Sequence, residues 1–349
     1  MEHPTRVGKY ELEQFLGGGM SHVYRARDTV LGRRVALKLL TIVGASDDEA
    51  KARFLLEART ASNISHENII SVFDFGEEHG RPFIVMEYLE GESLRELIRT
   101  NRLGNLRQKL KIATQIARAV DHIHSKKIIH RDIKPENIHL DLTGKVKLMD
   151  FGIAKSSGVD LTRSGFTLGT PHYMAPEQVL GQPLTPQADV YAFGILLFEM
   201  LTGQKPIGGL DVAGIFHNIL HEPLNLDALT DRNLPNGVVE LVARCTLKQP
   251  TQRPPGLAVV AMEIDRLITS PHAPPAISRV TIPPPQAHAT AEHDPYDANF
   301  SAPSDGIPTL VKKLPKVFQS QGGLIFLGAF TVLCVFAILA VVLRLTNVI

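Results

Sequence analysis

The sequence predicts an α+β fold followed by a disordered linker and one transmembrane helix. Three observations lead there. Residues 10–268 alternate strand and helix patterns at ordinary apolar content, residues 269–321 gather ten prolines, and Leu324–Leu343 is a run of twenty residues with neither charge nor proline. A core can form in the first stretch, an extended chain in the second and a bilayer-spanning helix in the third.

Composition narrows the function classes. Of 349 residues, 37 are Lys or Arg and 36 are Asp or Glu, a formal net charge of +1 that argues for no nucleic-acid partner. Apolar residues make up 44%, enough for a sizeable core, and the two cysteines, Cys245 and Cys334, are too few for a disulfide framework or a Cys-rich zinc site. The opening Met-Glu-His-Pro-Thr-Arg leads into no apolar segment of the secretory kind, so the N-terminal side is expected in the cytosol.

Taken in order, Lys9–Phe15 reads as a strand running into Leu16-Gly17-Gly18-Gly19-Met20-Ser21-His22-Val23. Such glycines let backbone amides approach phosphate oxygens, although a hairpin tip uses the same residues simply to turn. Val35-Ala36-Leu37-Lys38 is an apolar strand ending on a lysine, which needs an anion if it points inward and water if it sits on an edge. Glu57, nineteen residues on in the helical pattern Phe54–Arg59, is a candidate anion, with a solvated helix face as the alternative. His122, His124 and His130 cluster in sequence, but their spacings do not match a helical metal pair, so structural or surface roles are expected.

The chemistry rests on His130-Arg131-Asp132-Ile133-Lys134-Pro135-Glu136-Asn137, followed by Lys147-Leu148-Met149-Asp150-Phe151-Gly152. Two carboxylates, a lysine and an amide at this spacing can converge in one loop and the strand end after it. Phosphoryl transfer needs that set: oxygen ligands for magnesium, a base near the attacking hydroxyl, and positive charge near the moving phosphate. The segment resembles the catalytic loop and magnesium motif of protein kinases, most closely the bacterial Hanks-type, PknB-like serine/threonine kinases. The resemblance covers Tyr10 to Ile268 and takes in Ala175-Pro176-Glu177, Asp189–Gly194 and Gln252-Arg253-Pro254, whose arginine is expected to pair with Glu177. It implies a two-lobed protein-kinase fold, with a β-rich N-lobe to about Met86, a helical C-lobe beyond, and ATP with Mg2+ between them.

The resemblance also implies roles. Asp132 is the expected catalytic base, and Lys134 the charge that stabilises the moving phosphate. Asn137 and Asp150 are the expected metal ligands, while Lys38, held by Glu57, takes the α- and β-phosphates. Leu16, Gly17, Gly18, Gly19, Val23 and Ala36 are expected around the nucleotide, with Met86 as gatekeeper, Glu87 and Leu89 at the adenine edge and His139 beneath the base. Lys134 and Gly169-Thr170-Pro171 imply serine or threonine hydroxyls of proteins as acceptors. Two departures stand out: either Leu16 takes the first glycine position or, as the Leu16-Gly17 that follows the strand favours, the glycine loop is one residue short; and His139 replaces the usual apolar side chain, although an imidazole can still stack on adenine. Between Asp150 and Glu177, the residues Ser156, Ser157, Thr162, Ser164 and Thr167 are candidate autophosphorylation sites facing Arg131, with a homodimer as the expected arrangement for transfer in trans. A pseudokinase scaffold is the alternative, and the presence of Lys38, Glu57, Asp132, Asn137 and Asp150 argues against it.

Beyond this domain (10–268), residues 269–321 read as a proline-rich juxtamembrane linker, 322–344 as a transmembrane helix and 345–349 as a short tail. Twenty helical residues span about 30 Å, the thickness of a bilayer's hydrocarbon core. Lys312, Lys313 and Lys316 precede the span and Arg344 alone follows it. That asymmetry places the kinase domain on the cytoplasmic side of the cell (inner) membrane, with a single pass.

Overall fold

A computed structural model describes residues 4–19, 21–150, 171–209 and 211–270. The linker, the apolar run and the activation-segment hydroxyls lie outside them. Among the described residues, no helix is long and apolar enough to cross a membrane.

The N-lobe sheet is antiparallel. Its strands are β1 (Arg6–Val7), β2 (Tyr10–Gly18), β3 (Ser21–Asp28) and β4 (Arg34–Leu40); after helices α1 (Ile42–Ala45) and α2 (Asp48–Ser62) come β5 (Val72–Glu78) and β6 (Arg81–Glu87). Their spatial order is β1-β2-β3-β4-β6-β5. The sheet starts at Arg6, four residues ahead of the Tyr10 boundary, because Val7 pairs with Tyr10. Tyr10, Tyr24, Val35, Leu37 and Val85 fill one face. On the other face α2 sets Phe54 and Ala58 against Leu40 and Ile84. Asp47 starts α2 by accepting the Glu49 and Ala50 amides at 3.0 and 3.1 Å, as an N-cap carboxylate should.

The C-lobe opens with β7 (Glu92–Ser93), α3 (Leu94–Arg99) and α4 (Leu106–Ser125), followed by β8 (Ile138–Leu140) and β9 (Val146–Leu148). Then come α5 (Pro176–Val179), α6 (Gln187–Thr202), α7 (Val212–His221), α8 (Asp227–Thr230), α9 (Asn236–Cys245) and α10 (Leu257–Thr269). Helix α6 is buried from Ala188 through Thr202 on every side, so it is the axis of the lobe rather than an amphipathic cover. Around it Leu110, Ile116, Val120, Leu241, Val260 and Ile264 form the core. The lobes are stitched together at β9: Leu148 N donates to Asn68 O at 2.8 Å, Ile70 N to Leu148 O at 3.0 Å, and Asn68 Nδ2 to Val146 O at 3.0 Å.

Candidate active site

Lys38 lies in a strand whose neighbours are apolar and buried, and its ammonium finds two anions there. Nζ donates to Glu57 Oε1 at 2.8 Å and to Asp150 Oδ1 at 2.9 Å. One pair joins the sheet to α2, and the other joins it to the second residue after β9. Burial opposes the lysine's charge, but Asp150 and Glu57 outweigh that and hold its pKa above the ordinary lysine value. Burial pushes the Glu57 carboxyl up against the pull of Lys38, whereas Asp150 is held below the usual carboxylate range chiefly by Lys38. Asp150 is therefore an ionised hard-oxygen donor at neutral pH.

The catalytic-loop residues converge as their spacing predicts. Lys134 Nζ donates to Asp132 Oδ2 at 2.8 Å, and Asn137 Nδ2 donates to Asp132 O at 2.8 Å and to Oδ2 at 3.0 Å. Those bonds use the amide nitrogen of Asn137 and leave its oxygen as the acceptor, the chemistry a magnesium ligand needs. Met149 N donates to Asn137 O at 2.8 Å, which ties this loop to the approach to Asp150. Arg131 (φ 66°) and Asp150 (φ 45°) both hold the left-handed backbone that side chains disfavour, so this region is overdetermined by its surroundings.

Around the nucleotide, Ala36 in β4 stands opposite Met86 in β6, and Val23 stands opposite both Gly17 and Lys38. Met86 lines a small pocket with Glu57, Ala58, Ile70, Val72 and Asp150. His139 lies in β8 between Ser93 and Lys147, and burial lowers its pKa, so the ring is neutral at pH 7. The glycine segment differs from the expected loop after a strand. Strand β2 continues through Gly18, with irregular register between Leu12 and Gln14 and between Phe15 and Gly17, and the hairpin closes where Gly18 pairs with His22. At Gly18 φ is +139°, and a Cβ there would lie 1.9 Å from the Ser21 carbonyl oxygen, so only glycine fits.

The loop's own support was only partly visible in the sequence. Asp189, almost wholly buried in α6, accepts His130 N at 2.8 Å and Arg131 N at 2.9 Å, and His124 Nε2 lies 2.7 Å from it. The His124 ring, expected in a structural or surface role, thus meets the carboxylate that holds the catalytic loop, a contact that spacing alone does not signal. Arg253 meets Glu177 in a fork, Nη1 to Oε1 at 2.7 Å and Nη2 to Oε2 at 2.9 Å, as expected. Sequence reading missed Arg95 in α3, which donates to Glu136 at 2.7 Å, Glu199 at 2.5 Å and Tyr173 Oη at 2.6 Å.

Comparison with known families agrees with this geometry: the profile of the protein kinase domain matches residues 10–264. The chain belongs to the protein kinase domain family. Within this kinase domain the chain is 40% identical over 248 residues to the serine/threonine-protein kinase PrkC of Bacillus subtilis, covering 70% of this chain and 38% of that protein. It is likewise 40% identical over 243 residues to the probable serine/threonine-protein kinase PknB of Lactococcus lactis, covering 68% and 39%. The match to the serine/threonine-protein kinase pkn3 of Myxococcus xanthus, 35% identical, runs over 338 residues, 90% of this chain and 62% of that protein. The aligned kinase region spans about two fifths of the length of the first two relatives.

Proposed function

We propose that the chain is a serine/threonine-protein kinase that uses ATP and Mg2+. The observation that carries this reading is the closed Lys38–Glu57–Asp150 set, at 2.8 and 2.9 Å, beside an Asp132 already engaged by Lys134 and Asn137. A pseudokinase scaffold has no need of these six ionisable and amide groups in this order, and the relatives' names favour transfer to serine or threonine. Bound Mg·ATP supplies the electrophilic γ-phosphate and neutralises charge on the phosphate chain. Lys38 binds the α- and β-phosphates, and Glu57 keeps it in place. Asn137 and Asp150 are the residues that would hold magnesium. Asp132 orients the acceptor hydroxyl and takes its proton, while Lys134 offsets charge on the transferring group.

The test is transfer of labelled γ-phosphate to a generic protein, with Asp132→Asn as the control. A drop in kcat of about 10²–10⁴-fold with ADP binding retained is expected, and equal signal from both proteins would favour the scaffold. Mass spectrometry of the same reaction should find phosphate on Thr162, Ser164 or Thr167. A loop without phosphate removes that part of the reading. The uncharged run within 322–344 and the lysines before it support a single membrane anchor with the kinase domain on the cytoplasmic side. Equal membrane recovery of the full chain and of a truncation at Ser270 would dispose of the anchor.

A further inference from the structure

The hinge between the lobes, the stretch that begins at Glu87 where β6 ends, is held by a lysine that the proposed chemistry does not use. Lys147 stands opposite His139 across the β8–β9 pair. Its side chain is 14% exposed and donates from Nζ to Glu87 Oε1 at 2.7 Å. The same carboxylate oxygen accepts the Ser71 amide at 2.9 Å, and the Glu87 amide donates to Ser71 O at 3.0 Å. Three hydrogen bonds therefore converge on one hinge residue. Immediately after Lys147, Leu148 bonds Asn68 and Ile70, and two residues further Asp150 meets Lys38. One short strand thus sets the register of the hinge, of the segment leading into β5, and of an expected metal ligand.

We propose that Lys147 is a positioning residue for the nucleotide: by fixing Glu87 it sets the span between the adenine-binding hinge and the phosphate-binding Lys38–Asp150 pair. This rests on the kinase reading above. A charge-assisted bond with both partners largely shielded from water holds geometry better than an exposed ion pair does. Without it, Glu87 keeps its Ser71 bonds, so the sheet stays intact while its tie to the C-lobe is lost. The consequence belongs to nucleotide affinity rather than to the chemical step.

The experiment compares wild type, Lys147→Met and Lys147→Arg in the full 349-residue chain, by ATP titration of phosphotransfer, calorimetric titration with ADP and Mg2+, and thermal melting. In the Met variant, the KM for ATP and the Kd for ADP should rise about tenfold, equivalent to ~1.4 kcal/mol. Its kcat and its KM for the protein acceptor should stay within about twofold of wild type, and Arg should recover most of the affinity. Unchanged nucleotide affinity in the Met variant overturns the proposal. So does a loss that Arg does not rescue and that tracks a fall in kcat or melting temperature, since Lys147 would then be merely structural. If wild type binds ADP but transfers no phosphate, the kinase reading fails and the Kd comparison still decides Lys147. If wild type binds no nucleotide, both fall.

Discussion

Lys38 concentrates the physics of the site at the scale of one residue. An ammonium in a buried strand costs several kcal/mol unless its charge is met, and here it meets two carboxylates from different parts of the chain. Gly18 shows a different constraint, one of space. Its φ is +139°, and the Ser21 carbonyl oxygen lies 1.9 Å from the point where a Cβ would stand, which leaves no room for a methyl group. Gly18→Ala should therefore open the hairpin tip and raise the KM for ATP by about tenfold or more. Steady-state kinetics on the purified variant check this, and an unchanged KM would mean that the tip does not touch the phosphates.

Elements hold the catalytic loop in place. Helix α6 presents Asp189 to two consecutive loop amides, which keeps Arg131 in its strained backbone conformation. The Arg95 network adds a second brace from α3 to Glu136, within the turn between Lys134 and Asn137. At the far end of the activation segment, Arg253 places all five guanidinium donors: two on Glu177, and the others on the carbonyls of Leu247, Gln187 and Lys248. Removing the counter-charge leaves a buried cation, so Glu177→Gln should cost about 3–5 kcal/mol of stability. Urea unfolding followed by circular dichroism measures it, and a midpoint within error of wild type would show that the fork is not stabilising. The fork itself was expected from the resemblance of Ala175-Pro176-Glu177 and Gln252-Arg253-Pro254 to the kinase family's motifs. Arg95 was not, because an arginine in a charged helix start looks like surface in sequence.

Across the whole domain, His66, His130, His139 and His172 share one property: burial lowers the pKa of each below the ordinary histidine value of 6.5. In the unfolded chain these rings protonate near 6.5, whereas in the fold they resist. As pH falls through that value the unfolded state binds protons first, so the stability present above pH 6.5 is progressively lost below it. The melting temperature should fall by about 3–6 °C between pH 7.5 and 5.5. Melting curves in matched-ionic-strength buffers test this, and His139→Leu should flatten part of the slope. A flat profile in the wild type would mean that the buried rings are not coupled to folding.

By itself, the sequence determined the bilobal class, the order of the catalytic parts, the expected partner of Lys38 and the Glu177–Arg253 pair. The order of the catalytic parts rests on residue types at short local spacings, and the partner of Lys38 on a buried charge that demands a counter-charge; the two lobes and the Glu177–Arg253 pair, 76 residues apart, follow only from the resemblance to protein kinases. Tertiary structure decided the rest, because it depends on which surfaces meet. The fold placed His124 and His130 around Asp189, made Gly18 a point of closest approach, and brought Lys147 to Glu87 across 60 residues of chain. Side chains so far apart in sequence carry no mutual signal until packing has fixed the distance between the strands that bear them.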